Sequence, residues 1–348
     1  MSVALVFVRA VGMACPVGLT ARTACAAFRA GLNRFSETEY LDNGGEPVVG
    51  SFLERLDGSM SRMQRCFELL WYALRDVCQS GEIGTGALAE LPMLVIMPTV
   101  NVEGTNLRDT VTAWLSAKLG VRLNPGLVEV GQGGSVASVR AIEVARQWLS
   151  ERPGKQILVV AVDSYIEARA LVQLARARRL LSSQCRDGVI PGEAAACVLL
   201  GPAVPESAGS IAGIGFGTEP SRLDNDVPLR GDGIAQAARR ALAEAGLEMH
   251  DLDFRLSDAA GEAIDFKEQV LVVSKLLRRN KDRFSLVLPA TSLGFTGAAA
   301  PLCALALAAS TWQQGAAPGP RAITFATEAD GNRAALVIEA PRSALSHG

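Results

Sequence analysis

The sequence predicts an α/β protein made of two halves that each mix strands and helices. Three observations predict it. A continuous β-branched run from Ile157 to Val162, ILVVAV, suits a strand covered on both faces of a sheet. Just before it, Val136 to Leu149 sets Arg140, Glu143 and Gln147 on one helical face and Val139, Ile142, Ala145 and Leu149 on another. Finally, GPAVPESAG, from Gly201 to Gly209, is rich in turn-forming residues and divides the chain near its middle. It reads as the boundary between halves 1–205 and 206–348, and a length of 348 residues leaves room for an internal duplication.

The remaining elements follow the same signals. Met93–Met97, Ala195–Leu200 and Leu286–Leu288 read as further strands, and Asp232 to Gly246 as a helix that begins with a capping-type residue and ends in glycine. The stretch AITFATEADGNRAALVIEA reads as a hairpin with an Asp/Gly/Asn turn. In GSIAGIGFGTEP no helix starts at the glycines, as a dinucleotide site would need, so they are expected to mark a bulge or tight bend. Gly131, Gly133 and Gly134 lack the Gly-Lys-Ser/Thr of a phosphate loop.

Composition excludes several function classes. With 34 basic and 36 acidic residues the net charge is -2, which provides no overall positive field for nucleic acid or anionic membranes. Arg176, Arg178 and Arg179, and Arg278, Arg279 and Lys281, form either a local basic patch for an acidic carrier protein or solvated helix faces. Seven cysteines without C-x-x-C spacing argue against a disulfide framework and a zinc site, and point to a reducing cytoplasm. The opening MSVALVFVRAVGMACPVG has no basic leader and is interrupted by Arg9, so neither a signal peptide nor a membrane span is expected. The only histidines, His250 and His347, read as exposed bystanders. No metal or cofactor is implied.

Two motifs carry chemistry. VEVGQGGSVASVRAIEVARQWL is a strand, a glycine turn and a helix, an elbow that presents Ser135 at a helix N-terminus, where backbone N–H groups and the helix dipole stabilise an oxyanion. RDGVIPGEAAACVLLGP, Arg186 to Pro202, is a tight turn feeding an apolar strand.

Together with VRAVGMACPVGLTARTACAAFRAGLNRF, the Asp265/Glu268 pair, TSLGFTGAAA and ADGNRAALVIE, these motifs resemble, in order, those of the β-ketoacyl-acyl carrier protein synthases of the thiolase-like superfamily. The resemblance implies a thiolase fold, two duplicated α/β halves packed as α-β-α-β-α layers, that associates as a homodimer or as a heterodimer with a ketosynthase-fold partner. In that family a cysteine holds the acyl chain, two histidines promote decarboxylation and enolate formation, and a lysine supports the second histidine. Here Ser135 stands at the cysteine position, Ser257 or Asp258 at the first histidine, Phe295 at the second and Ala290 at the lysine.

A hydroxyl is a far weaker resting nucleophile than a thiol, and a phenyl ring neither titrates nor hydrogen-bonds. The resemblance therefore implies a degenerate, non-condensing member acting as partner, adaptor or chain-length-factor-like subunit. The alternative is an acyltransferase in which Ser135 takes an acyl group from a carrier protein or coenzyme A thioester, with Asp258 as base. A third reading is passive acyl-chain binding, with Phe295 as pocket wall rather than core filler. Residues 34–50, RFSETEYLDNGGEPVVG, also resemble thiolase-like proteins found beside type VI secretion effectors, implying an effector or chaperone as partner.

Overall fold

In the computed structural model, which describes residues 5–100, 106–222 and 225–341, the chain begins with strand β1 (Val6–Ala14) and helix α1 (Ala21–Arg29). A hairpin of β2 (Phe35–Leu41) and β3 (Pro47–Ser51) leads to α2 (Arg62–Ser80), α3 (Thr85–Ala89), β4 (Met93–Met97), α4 (Leu107–Leu119) and β5 (Val128–Gln132). Then come α5 (Ser135–Ser150), β6 (Ile157–Ser164), α6 (Ala168–Arg176) and β7 (Glu193–Gly201). The second half contains β8 (Gly209–Thr218), α7 (Asp232–Ala245), β9 (Phe254–Ser257), α8 (Ala263–Leu276), β10 (Ser285–Val287), α9 (Ala290–Leu293), α10 (Ala300–Gln313), β11 (Arg321–Thr327) and β12 (Asn332–Glu339).

The strand order repeats. One group runs β1-β7-β6-β4-β5 and the other β8-β12-β11-β9-β10. In each, the first strand is antiparallel to the last, the last antiparallel to the fourth, and the inner ones parallel. Among the described strands, the two groups are joined into one sheet by a short ladder between Val6–Val8 and Ile211–Gly209.

Alternating side chains produce the layers. On β6, Ile157, Val159 and Ala161 join a central core with α5 and α10, while Leu158, Val160 and Val162 meet Leu69, Leu70, Leu74 and Val77 of α2. On β12, Ala334, Leu336 and Ile338 face the same central core, and Ala335 and Val337 face Ile234, Ala238 and Ala241 of α7. The order is therefore α-β-α-β-α, as the resemblance implies. Helix α10 lies in the middle layer with nearly every side chain buried, and each buried leucine there contributes about 1.5–3 kcal/mol.

The predicted strands and the Val136–Leu149 helix form where expected, although β7 begins two residues early and β10 one. Other expectations need correction. Helix α7 is capped by Gly231 in the left-handed region, φ +65, not by Asp232, whose carboxylate instead binds Lys275. The β8–β12 register slips by one residue at Ala212, beside Gly213, so a bulge does fall in this stretch, and the glycines also serve a close approach: a Cβ at Gly213, Gly215 or Gly217 would lie 2.0, 2.0 or 2.1 Å from a carbonyl oxygen of α7. Spaced two apart, they form one flat face on which α7 rests.

Neither basic cluster is simply a solvated face. Arg179 turns inward to Glu262, and Lys281 donates to the carbonyls of His250 and Leu252. His250 is only partly exposed, its ring flanked by Glu248 and Asp251 at 3.2 and 3.3 Å; His347 lies outside the described residues. All seven cysteines are unpaired, and burial pushes the Cys15 thiol up to about 12. Among the described residues, no helix is long and apolar enough to cross a membrane.

Candidate functional site

The elbow forms where β5 ends at Gln132 and α5 starts at Ser135. Gly133 makes the turn possible, since a Cβ there would sit 2.5 Å from Ala137 Cβ. Gly134, at the N-cap, offers no side-chain oxygen to the first N–H groups of α5. A distant residue does so instead. Oε1 of Glu328, in the turn between β11 and β12, accepts from the N–H groups of Gly134, Val136 and Ala137 at 3.1, 3.0 and 3.3 Å. Burial pushes the Glu328 carboxyl above its ordinary range and Asp330 adds to the push, while the three N–H groups oppose it.

Ser135 is 2% exposed, and its hydroxyl donates to the Gly297 carbonyl at 3.0 Å. One turn along, Ser138 donates to the Ala298 carbonyl at 2.6 Å. The first-half elbow is thereby tied to the turn that precedes α10 in the second half.

Asp258 follows β9 and accepts from the Thr327 N–H at 2.8 Å. Burial raises its carboxyl to about 6, against the pull of that N–H, the Ser135 hydroxyl and the Arg333 guanidinium. Of the two residues at the first histidine position, only Asp258 lines the cavity that holds Ser135. Ser257 is fully buried and its Oγ accepts from Ala259 N–H and Gln269 Nε2 at 3.1 and 3.2 Å, facing α8.

Phe295 also lines this cavity, with its ring centroid 4.7 Å from that of Tyr165 and the Arg179 guanidinium carbon 5.1 Å from its own. Ala290 begins α9 and does not line it. The cavity measures about 120 Å³, room for about four waters. Charged groups surround it, including Arg179, Glu262, Asp265, Glu328 and Arg333. A void of this size is too small for a long hydrocarbon chain.

Sequence reasoning missed most of this charged lining. Arg179 meets Glu262 at 2.5 Å, and Arg333 meets Glu268 at 2.8 Å. Asp265 is pushed well up by burial, and by the neighbouring Asp258 and Glu262 carboxylates. The Asp265/Glu268 spacing was visible in the sequence without its partners, and Glu328 was signalled only as an acidic residue in FATEADG.

The arrangement makes pH dependence a direct check on Asp258. Its folded-state pKa of about 6 exceeds the ordinary 3.8, so the folded chain holds this proton more tightly than the unfolded chain. Its stabilising contribution is complete below the unfolded value and is lost as pH rises through about 6. Asp258→Asn, which keeps an acceptor for Thr327, is expected to be more stable than the parent at pH 7 by on the order of 2–3 kcal/mol, with the gap closing near pH 4. Urea unfolding across that range measures the gap, and a constant difference would exclude this origin.

No protein-family model matches the sequence and no curated protein does. In three dimensions the chain is similar to the ketosynthase from module 6 of the bacillaene synthase of Bacillus subtilis 168, at 14% identity and a TM-score of 0.77, over 97% of this chain and 72% of that one. It is similar to a type II polyketide synthase structure of an acyl-carrier protein in complex with its ketosynthase, at 12% identity and a TM-score of 0.78, over 97% and 99% of the chains. It is also similar to a ketosynthase in complex with its chain length factor from Xenorhabdus doucetiae, at 15% identity and a TM-score of 0.73, over 97% and 98%.

Proposed function

Because this chain has the thiolase-like fold of the ketosynthases, we propose that it is a non-condensing subunit that works by pairing with another chain of the same fold, as a partner, adaptor or chain-length-factor-like component. The observation that carries this reading is the Glu328 carboxylate on the N-terminus of α5. Acyl transfer at an elbow requires those N–H groups to receive the oxyanion that develops on the substrate. Here they are already engaged by the Glu328 carboxylate, the hydroxyl beside them is directed to the Gly297 carbonyl, and Phe295 and Ala290 supply no histidine or lysine.

Pairing is supported by β5, which among the described residues ends the sheet with no strand on its outer side, an edge that suits a strand from a second chain. Beside it lies a groove of about 400 Å³ lined by Leu94, Ile96, Val136 and Val144, the last 46% exposed. A homodimer and a heterodimer use the same edge. A carrier protein, or a secretion effector or its chaperone, is the further partner class, and the cytoplasm is the proposed compartment.

The second reading, acyl transfer through Ser135, is favoured by one observation: Asp258 lines the same cavity as Ser135, and burial raises its carboxyl to about 6, a value suited to a base near neutrality. Intact-mass spectrometry after incubation with malonyl, acetyl and longer acyl thioesters separates the two. The expected result is no added mass and no carbon dioxide release from the malonyl thioester, together with a two-chain species in sedimentation that Val144→Glu dissociates. An adduct that disappears in Ser135→Ala would overturn the non-condensing reading.

A further inference from the structure

The cavity that contains Ser135 holds more negative charge than its arginines neutralise. Arg179 is bound to Glu262, and Arg333 to Glu268 and to the carbonyls of Glu328 and Asn332, so each guanidinium has acceptors of its own. Asp258, Asp265 and Glu328 line the same space without an ion-pair partner among the described residues. Asp258 and Glu328 accept backbone N–H groups instead, from Thr327 and from the first turn of α5. Asp265 has neither: among the described residues its carboxylate meets no hydrogen-bond donor and no cation at ion-pair distance. That carboxyl lies deep in the protein. Burial pushes it well above its ordinary range, and Asp258, Glu262 and Glu268 add to the push against the pull of Arg179.

One turn further along the same face of α8, Gln269 is 3% exposed and its Oε1 also lacks a donor. Two acceptors on one helix face are thus left without donors, a deficit that folded proteins rarely carry. Ile264 and the Phe295 ring give the cavity an apolar part, and its lining reaches solvent at Arg222 and Ala329, both exposed. Among the described residues, no group of acidic, histidine or cysteine side chains is arranged to hold a metal ion.

We propose that this cavity is a binding site for a short organic cation, a primary ammonium, with Asp265 as its counter-ion, Asp258 beside it, and Ile264 and Phe295 against its carbon end. A primary ammonium supplies both the donors and the positive charge that Asp265 lacks. Its size suits a space that holds about four waters. The site goes beyond the pairing function and does not depend on it, so an acyl adduct at Ser135 would overturn the non-condensing reading and leave this site standing.

Methylammonium is the probe for a free amine, and lysine blocked at both its backbone ends is the probe for a side chain presented by another protein. Titration of the full chain, followed by amide NMR, is expected to give saturable shifts at Ile264, Asp265 and Gly297. Methanol, and potassium chloride at equal ionic strength, are expected to give none. Tighter binding of methylammonium supports a free amine as the ligand, and tighter binding of the blocked lysine supports a partner's side chain.

Asp265→Asn keeps the shape and removes the charge, and is expected to weaken binding by about tenfold or more. Asp258→Asn, expected to weaken it severalfold, covers the case in which the first variant does not fold. The ionised form of Asp265 is the one that binds, so affinity is expected to rise from about pH 5 to about pH 8, as Asp265 loses its proton among Asp258, Glu262, Glu268 and Arg179. No saturable shift with either probe, equal affinity in the parent and the folded variants, or the same shifts with potassium chloride would overturn the site.

Discussion

Glu193→Ala is expected to destabilise the chain by about 3–5 kcal/mol, the cost of leaving a buried charge without its partner. Glu193 begins β7 and is fully buried. Its carboxylate accepts from Arg65 Nε and Nη2 at 2.7 and 2.8 Å, from the Leu53 N–H at 2.8 Å and from the Ser164 hydroxyl at 2.7 Å. One side chain thus joins α2, the segment after β3, β6 and β7. In Glu193→Ala the Arg65 guanidinium, itself 1% exposed, stays in an apolar layer beside Cys66 and Leu69 with only the Asp57 carbonyl to bind. The double variant Arg65→Met/Glu193→Leu is expected to regain much of the loss, because it removes both charges. Chemical denaturation of the three chains tests this, and a Glu193→Ala loss below about 1 kcal/mol would exclude a buried pair of this kind.

Gly215→Val is expected to cost about 3 kcal/mol or more, through overpacking at the contact between β8 and α7. A Cβ at Gly215 would lie 2.0 Å from the Ala237 carbonyl oxygen and 2.7 Å from Ala241 N, both backbone atoms that a rotamer change cannot move. The helix would have to lift off the strand, exposing Ala237, Ala238 and Ala241, all fully buried. Gly86→Ala supplies the contrast. It sits within α3 with nothing inside 4 Å of a Cβ, so the change is expected to be neutral or stabilising by about 0.5–1 kcal/mol. Similar losses for the two variants would rule out close packing as the cause.

The contrast between these glycines explains where the sequence was legible. Hydrophobic period and turn residues reveal elements, so β6, α5 and the β11–β12 hairpin are readable from residues that are neighbours in the chain. The glycines of β8 signalled the irregularity at Ala212 but not their closeness to α7, because that helix is a tertiary neighbour that leaves no mark on the strand itself. The site divides the same way. Ser135 stood out because its elbow is local, whereas Glu328 meets Val136 across 192 positions of chain. Counting offers Ser257 and Asp258 equally; only their side-chain directions differ, one toward Gln269 and one toward Thr327 and the cavity, and those depend on tertiary neighbours. Arg179 read as a surface charge because two exposed arginines precede it nearby, at 176 and 178, and its partner Glu262 lies far along the chain.

The position of α10 has a consequence for how the molecule is made. Its leucines and alanines fill the inner face of a sheet whose strands β1, β4, β5, β6 and β7 are all synthesised by Gly201. The helix that covers that face is not finished until Gln313, about 110 residues later. At roughly 5–20 residues per second, the growing chain carries an apolar surface covered only in part, by α5, for on the order of ten seconds. During that interval the newborn first half is at its most vulnerable to aggregation and most dependent on chaperones, and slow codons between these two points would prolong the exposure.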